Sequence, residues 1–262
     1  MRCILIPHPS HIKADCGIRR VRREGSMNRK YIRTRIQEVG IIPSIRVSSS
    51  EDARFAAETL SQGGIPIAEI AMTVPGAIQV ISDLVKNAPD MIVGAGSVMD
   101  AETARRCLGA GAKFLTTDGL IQEIVEHAAM EDVVVLPGAL TPTEVIAAWR
   151  AGSDFVKVVP CAAMGGEKYI KALKAPLAQV PLIAAGGVNQ QTAAGYISAG
   201  AAALGIGQAL IPWEAVALRQ ANRIRELARR FLNAVESARR ENGTRIDEVV
   251  VNRAPVLAFK EA

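Results

Sequence analysis

Two ionisable side chains lie inside otherwise apolar segments of this sequence. Lys157 stands in segment 155–160, and Glu69 stands in segment 67–72. A lysine is almost never fully buried unless it is paired, and removal from water favours its neutral amine, which attacks ketones to form a Schiff base. A buried carboxyl group is costly unless it pairs or moves protons. The two residues therefore indicate Schiff-base chemistry at Lys157 with proton transfer by Glu69.

A structural role is the alternative for Lys157, because a lysine at the outer end of a strand packs its aliphatic stem and keeps its ammonium group in water. A metal-based route lacks ligands. His8 and His11 lie near the start of the chain, and His127 lies in a helical segment between Glu126 and Ala128. We therefore expect neither a metal nor another cofactor at the site.

Glycine-bearing turns give a second signal, which concerns phosphate. Gly186-Gly187 follows the apolar segment 182–185, and Gly207-Gln208 ends the apolar run that starts at residue 202. Backbone N–H groups in such turns, followed by a helix start, can hold an anion. Tight-turn geometry alone is the alternative, because glycine is the default residue for a positive φ.

A repeating order of elements is expected to position these residues. Eight short apolar runs begin about every 23 residues from Ile41 to Ala202, with a helical segment after each and a long last helix over residues 213–240. Continuous apolar runs are typical of strands covered on both faces. Eight such units in series predict an α/β protein with a (β/α)8 TIM barrel, and a doubly wound open sheet is the alternative.

In such a barrel, reactive residues project from the carboxyl ends of the strands and from the loops that follow. This rule adds candidates for substrate binding, which are Arg46, Ser97, Thr117, Asp118, Pro137, Gly138, Gly186, Gly187, Gly207 and Gln208. The glycines of segment 94–97 are expected to mark a turn at a strand end, and Pro137-Gly138 is expected to follow the fifth strand.

The chain has 262 residues and a formal net charge of +5, and that charge is unevenly distributed. Residues 1–40 contain ten Lys or Arg against three Asp or Glu, so the rest of the chain is slightly acidic. This distribution argues against a nucleic-acid-binding body. No apolar run reaches the roughly 18–20 residues that span a bilayer, and the four cysteines form no C-x-x-C pair. We expect a cytoplasmic protein with no membrane partner.

Three regions are expected along the chain. Residues 1–26 have no periodicity and predict a disordered basic extension, and residues 27–240 hold an N-terminal helix and the barrel. Residues 241–262 predict a short C-terminal tail.

These features together resemble a known family. The segments that carry the resemblance are 94–98, 136–138, 155–160, 169–173 and 186–188. In this order, from about Asn28 to Arg240, they are similar to the class I aldolases of 2-keto-3-deoxy-6-phosphogluconate (KDPG) and 4-hydroxy-2-oxoglutarate (KHG). The resemblance implies a metal-independent homotrimeric barrel that cleaves a 2-keto acid to pyruvate and an aldehyde, either glyceraldehyde 3-phosphate or glyoxylate. It also implies that Lys157 is the Schiff-base lysine and Glu69 the general acid and base.

Four positions depart from the family's usual pattern. Thr73, itself a candidate for substrate binding, replaces an arginine four residues after Glu69, and Asp118 replaces a proline. Ala185 replaces a threonine before the glycine pair, and Gln208 replaces a phosphate-site serine. Carboxylate recognition would then rest on Arg46 and on backbone N–H groups near Ser97 and Thr117-Asp118. The lost hydroxyls leave backbone N–H groups to bind a phosphate.

Several functions remain open beside the pyruvate-forming aldolase. The branch of the family that acts on 2-keto-3-deoxy-6-phosphogalactonate (KDPGal) also lacks the arginine. An oxaloacetate-type decarboxylase would use the same enamine intermediate. A barrel that binds a phosphorylated ligand without turnover is the non-enzymatic alternative, and it would leave the buried lysine and glutamate unexplained.

Overall fold

The computed structural model describes residues 27–243, which form one barrel surrounded by helices. The extension expected at residues 1–26 lies outside the described residues, and so does all of the expected tail beyond Gly243. The strands are β1 Ile41–Ile45, β2 Ile67–Ala71, β3 Ile92–Gly96, β4 Phe114–Thr116, β5 Val134–Leu136, β6 Gly138–Ala139, β7 Val156–Val158, β8 Leu182–Ala185 and β9 Ala203–Ile206.

Ten α-helices accompany these strands within residues 27–243. They are α1 Arg29–Val39, α2 Ser50–Gln62, α3 Ala77–Asn87, α4 Ala101–Gly109, α5 Gln122–Met130, α6 Pro142–Arg150, α7 Glu167–Lys174, α8 Ala193–Ser198, α9 Trp213–Ala217 and α10 Ala221–Glu241. Helix starts follow side-chain chemistry. Ser49, Asp100 and Thr141 each accept a backbone N–H bond at the start of the helix that follows, which satisfies a donor that the helix itself leaves unpaired.

The nine strands pair in parallel in the order β5-β4-β3-β2-β1-β9-β8-β7-β6. Strands β5 and β6 stand at opposite ends of this order, yet only Pro137 separates them in sequence. The sheet therefore curls into a nearly closed barrel, in which β5 and β6 are the two halves of one strand. The (β/α)8 TIM barrel is confirmed, and the doubly wound alternative is wrong.

Burial on both faces explains the continuous apolar strands. Every residue of β2 and of β3 is buried, as are all residues of β4, β5, β7 and β8. One face of each strand packs inside the barrel, and the other packs against the surrounding helices. A polar side chain on such a strand is therefore held in a defined position.

Helix α1 is joined to the barrel by a partly buried ion pair. The helix contacts β1, β5 and β9. The Nε atom of Arg29 donates to both carboxylate oxygens of Asp154, at 3.0 and 3.1 Å. The same carboxylate accepts the backbone N–H of Val135 at 3.0 Å. Because Asp154 directly precedes the β7 region, this pair ties α1 to the start of the strand that carries Lys157.

The long helix expected over residues 213–240 is wrong. The structure has two helices there, α9 and α10, separated by residues 218–220. Arg219 has a φ of 52°, which a continuous right-handed helix does not allow. Its guanidinium contacts Glu51 and Asp52 at 3.1 and 2.6 Å and lies over the ring of Phe55. These contacts with α2 outweigh the helical periodicity of the sequence.

None of the helices within residues 27–243 has the length and apolar character needed to cross a membrane.

Candidate active site

Lys157 is the middle residue of β7 and is buried, with a side chain that is 8% exposed. Its neighbours in the sheet are Gly138 on β6 and Ile183 on β8. The Nζ atom donates to Oδ1 of Asp118 at 3.0 Å. Asp118 lies two residues beyond the end of β4, so the amine lies toward the carboxyl end of the barrel. The alternative of a lysine whose ammonium group lies in open water is therefore wrong.

Asp118 accepts bonds from two sides. One oxygen accepts from Lys157, and the other accepts from the Ser97 hydroxyl at 2.6 Å. Burial raises the pKa of Asp118, but the Ser97 hydrogen bond and the positive charges of Lys157 and Arg46 outweigh it, so the pKa lies below its usual value. The side chain is therefore an ionised carboxylate at neutral pH, although it is 42% exposed.

Arg46 completes this cluster from the end of β1. One of its terminal nitrogens donates to the Ser97 hydroxyl at 2.7 Å and lies 3.8 Å from an Asp118 oxygen. The Ser97 hydroxyl thus accepts from Arg46 and donates to Asp118. Ser97 also has a φ of 52°, which is uncommon for a residue with a side chain. The turn after β3 therefore aims its hydroxyl at the charged pair.

Glu69 occupies the middle of β2 and is 4% exposed. One carboxyl oxygen accepts the Ser44 hydroxyl at 2.8 Å, and the other accepts the Thr116 hydroxyl at 2.9 Å. Ser44 lies on β1, and Thr116 ends β4, so three strands hold one carboxyl group. Neither hydroxyl residue was among those predicted from the sequence. Ser44 and Thr116 are polar residues inside apolar runs, and the same signal led to the prediction of Lys157 and Glu69.

The end of β4 joins the two ionisable residues into one site. Thr116 contacts Glu69, and Asp118, two residues later, contacts Lys157. Both side chains therefore lie in the barrel interior and share this segment as a common neighbour. The amine of Lys157 and the carboxyl group of Glu69 are thus both bonded to residues at the end of β4.

Glycines in β3 make the space for these side chains. A Cβ atom on Gly96 would lie 2.4 Å from a carboxyl oxygen of Glu69, and one on Gly94 would lie 2.4 Å from the Phe114 ring. Both glycines belong to the strand itself. The expectation that they mark a turn is wrong: they are needed because larger residues would displace Glu69 and Phe114.

Pro137 and Gly138 belong to the barrel wall, so the expectation that they follow the strand is wrong. The carbonyl of Pro137 accepts the backbone N–H of Lys157 at 2.9 Å. A Cβ atom on Gly138 would lie 2.4 Å from the backbone carbonyl atoms of Asp118. Gly138 therefore allows the Asp118 segment to approach the strand pair that carries Lys157.

The remaining candidates follow the ends of β2, β8 and β9. Gly186 and Gly187 follow β8 with φ values of 80° and 90°, and Gly207 and the exposed Gln208 follow β9. Thr73 is exposed in the turn after β2. Within residues 27–243, the hydrogen bonds of the cluster include none to Thr73 or Gln208.

Thr117 is buried, and both of its donors are in use. Its hydroxyl donates to the carbonyl of Gly119 at 2.5 Å, and its backbone N–H donates to the carbonyl of Leu136 at 3.3 Å. Thr117 therefore fixes the segment that presents Asp118, and the backbone N–H that was expected to bind the substrate's carboxylate is already bonded to Leu136.

Known proteins share this sequence and architecture. A 2-dehydro-3-deoxy-phosphogluconate aldolase of Haemophilus influenzae is 32% identical over 173 residues, which cover 66% of this chain and 82% of that protein. A solved structure described as native KDPGal has a TM-score of 0.71 and 29% identity, and the match covers 76% of this chain and 96% of that chain.

A third similar protein is the KDPG aldolase of Legionella pneumophila, solved with pyruvate captured as a covalent carbinolamine intermediate. Its TM-score is 0.69 with 27% identity, and the match covers 77% of this chain and 96% of that chain. The family model for KDPG and KHG aldolase matches residues 32–227, which include every side chain of the cluster described above. The chain therefore belongs to the KDPG and KHG aldolase family.

Proposed function

We propose that this protein is a class I aldolase that cleaves a 2-keto-3-deoxy acid to pyruvate and an aldehyde, with Lys157 as the nucleophile. The observation that carries the proposal is a buried lysine amine in the wall of a barrel that also buries Glu69. A ligand-binding role alone gives no reason to bury these two groups, whereas Schiff-base chemistry uses both. Family membership supports the same reaction class.

The covalent steps follow from an amine that attacks a ketone. The neutral amine of Lys157 adds to C2 of the 2-keto acid, and the C2 oxygen leaves as water to give a protonated imine. When the C3–C4 bond breaks, its electron pair moves toward the imine and forms an enamine, while the C4 hydroxyl loses its proton and becomes the aldehyde carbonyl. Protonation at C3 and addition of water at C2 release pyruvate and restore the amine.

Glu69 moves the protons in this scheme. It would protonate the departing C2 oxygen, accept the C4 hydroxyl proton and return a proton to C3. The hydrogen bonds from Ser44 and Thr116 support this role, because they fix both the position and the orientation of the carboxyl group. A residue held in this way loses little conformational freedom on reaching the transition state.

The carboxylate of the keto acid needs donors near Lys157. Arg46 and Ser97 are the donors that we assign to it, because their side chains already meet at a carboxylate, that of Asp118. The glycines at 186, 187 and 207, with Gln208 and Thr73, border the open end of the barrel. We assign these residues to the distal end of the substrate, including a phosphate where the substrate carries one.

KDPG and KHG are the substrates that we favour, because the family model names both. KDPGal is a specific second candidate. The native KDPGal structure is 29% identical to this chain, and Thr73 stands where many family members have an arginine. Loss of that arginine changes the charge near the substrate without altering Lys157 or Glu69, so both assignments share one mechanism.

We further propose that the protein is a cytoplasmic homotrimer in which residues 27–240 form the catalytic unit. Family membership supports the trimer. Light scattering of the purified protein measures its mass directly.

A substrate panel tests the proposed function. Purified protein is given KDPG, KDPGal, KHG and oxaloacetate, and pyruvate and aldehyde are both quantified. We expect equal amounts of pyruvate and aldehyde from at least one of the first three substrates. Lys157→Ala should lower this rate by about a thousandfold or more, whereas Lys171→Ala, at an exposed position on α7, should leave it unchanged. Pyruvate release from oxaloacetate alone would establish a decarboxylase, and no turnover at all would favour a binding protein.

A further inference from the structure

Asp118 is an acidic residue at the place where an anionic substrate has to bind. Its carboxylate lies 3.0 Å from Nζ of Lys157 and 2.6 Å from Oγ of Ser97. In a Schiff base with a 2-keto acid, the substrate's carboxylate is attached to the carbon that bonds Nζ. Its nearer oxygen therefore lies about 3 Å from Nζ by ordinary bond lengths and angles. That distance is the one at which the Asp118 oxygen already lies.

The donors around Asp118 are also those that a substrate carboxylate requires. The Ser97 hydroxyl donates to Asp118, and the Arg46 guanidinium lies 3.8 Å from the other oxygen. A substrate carboxylate would have to take over these contacts. Two carboxylates at one set of donors repel each other strongly, because both carry a negative charge.

The Asp118 side chain is free to leave, although its backbone is not. The side chain is 42% exposed. The Asp118 backbone packs against Gly138, where an added Cβ atom would lie 2.4 Å from the Asp118 carbonyl. The hydroxyl and the backbone N–H of the preceding Thr117 are both hydrogen-bonded. Rotation of one short side chain toward solvent therefore vacates the donors without movement of the barrel.

We propose that Asp118 is a specificity-determining residue that occupies the position of the substrate's carboxylate in the resting enzyme. Every 2-keto acid has to displace it, whereas a neutral ketone does not. Asp118 therefore weakens the binding of pyruvate relative to the binding of a neutral ketone of the same size. This inference rests on the proposed function, because it assumes that Lys157 forms the Schiff base.

The test compares two small ketones that differ at the carboxylate. Pyruvate carries the carboxylate, and hydroxyacetone replaces it with a neutral hydroxymethyl group. Each is titrated against the full chain in the presence of borohydride, and the concentration that gives half-maximal adduct at Lys157 is read by mass spectrometry. The ratio of the two concentrations, pyruvate over hydroxyacetone, cancels any general change in the reactivity of Lys157.

For Asp118→Asn we expect this ratio to fall by about tenfold or more, because the repelling charge is gone while a hydrogen-bonding side chain of the same shape remains. Asp118→Ala should shift the ratio in the same direction. Asp90→Asn, which removes one exposed carboxylate before β3 at the opposite end of the barrel, should leave the ratio unchanged.

An unchanged or increased ratio in folded Asp118→Asn would overturn the inference, since Asp118 would then orient Lys157 without competing with the substrate. Failure of both Asp118 variants to fold would overturn it too, because it would assign Asp118 to the structure of the barrel. These results differ from failure of the proposed function, which would appear as no pyruvate adduct in the unaltered protein.

Discussion

The carboxyl group of Glu69 is held by neutral hydroxyls, whereas the amine of Lys157 is held by a charge. Glu69 accepts one bond from Ser44 and one from Thr116, and Lys157 is paired with ionised Asp118. Within the described residues, Glu69 is thus held by hydroxyl groups alone, whereas Lys157 donates its hydrogen bond to a carboxylate.

Glu69→Gln tests the proton-transfer role at the scale of one residue. Glutamine keeps the shape and the hydrogen-bond acceptor, so the variant should fold and should still form the imine with pyruvate. Turnover should fall by about a hundredfold or more, because the side chain no longer exchanges protons. Adduct mass and steady-state pyruvate release measure the two properties separately. Glu102→Gln, on the exposed face of α4, is the matched control; full turnover in Glu69→Gln would remove this residue from the mechanism.

Individual residues were predictable from sequence where their burial was costly. Lys157 and Glu69 were predicted as site residues because a charged side chain in an apolar run is unfavourable unless it is paired. Ser44 and Thr116 were missed since a hydroxyl in a strand costs little and its partner is defined only in three dimensions. The sequence predicts a turn at Gly96, because it does not show that the Glu69 side chain lies against the Cα atom of this glycine.

At the scale of elements, the strand that carries Lys157 is anchored at its start. Asp154 is 1% exposed and pairs with Arg29 of α1, and it also accepts the backbone N–H of Val135. One carboxylate therefore connects α1, β5 and the approach to β7. Because a buried charge without its partner is unfavourable, we expect this link to contribute to stability more than an exposed ion pair does.

Arg29→Ala tests this link. Removal of the guanidinium leaves the Asp154 carboxylate buried with only one backbone donor, so the free energy of unfolding should fall by about 3 kcal/mol. Urea denaturation followed by circular dichroism measures the change. Lys30→Ala, at the exposed neighbouring position, should alter stability by less than about 0.5 kcal/mol. Equal stability of Arg29→Ala and the unaltered protein would show that α1 is not anchored by this pair.

Element boundaries were predictable where apolar runs were continuous and flanked by capping residues. A helical segment was expected after each apolar run, and α2 follows the first run with Ser49 as its cap. The prediction failed where contacts between distant segments decide the backbone. Arg219 breaks the last helix through its contacts with Glu51 and Asp52, and Pro137 bends a strand that continues as Gly138–Ala139. Neither effect is visible in local periodicity.

For the whole molecule, the order of strands explains why residues far apart in sequence form one site. Arg46, Glu69, Ser97, Asp118 and Lys157 belong to five different strands or strand ends, and closure of the barrel brings them around one axis. This arrangement was predictable as soon as eight repeating units were recognised, because the carboxyl ends of barrel strands meet at one face. The hydrogen bonds within the cluster were not predictable from the sequence, because side-chain partners depend on strand register and on rotamers.

Borohydride trapping with pyruvate tests the central claim most directly. The unaltered protein is incubated with pyruvate and borohydride, digested and analysed by peptide mass spectrometry, with Lys157→Ala and Lys171→Ala as variants. We predict one reduced pyruvate adduct, on the peptide that contains Lys157, which disappears in Lys157→Ala and persists in Lys171→Ala. Folded, unaltered protein without an adduct, or an adduct on another lysine, would contradict the account.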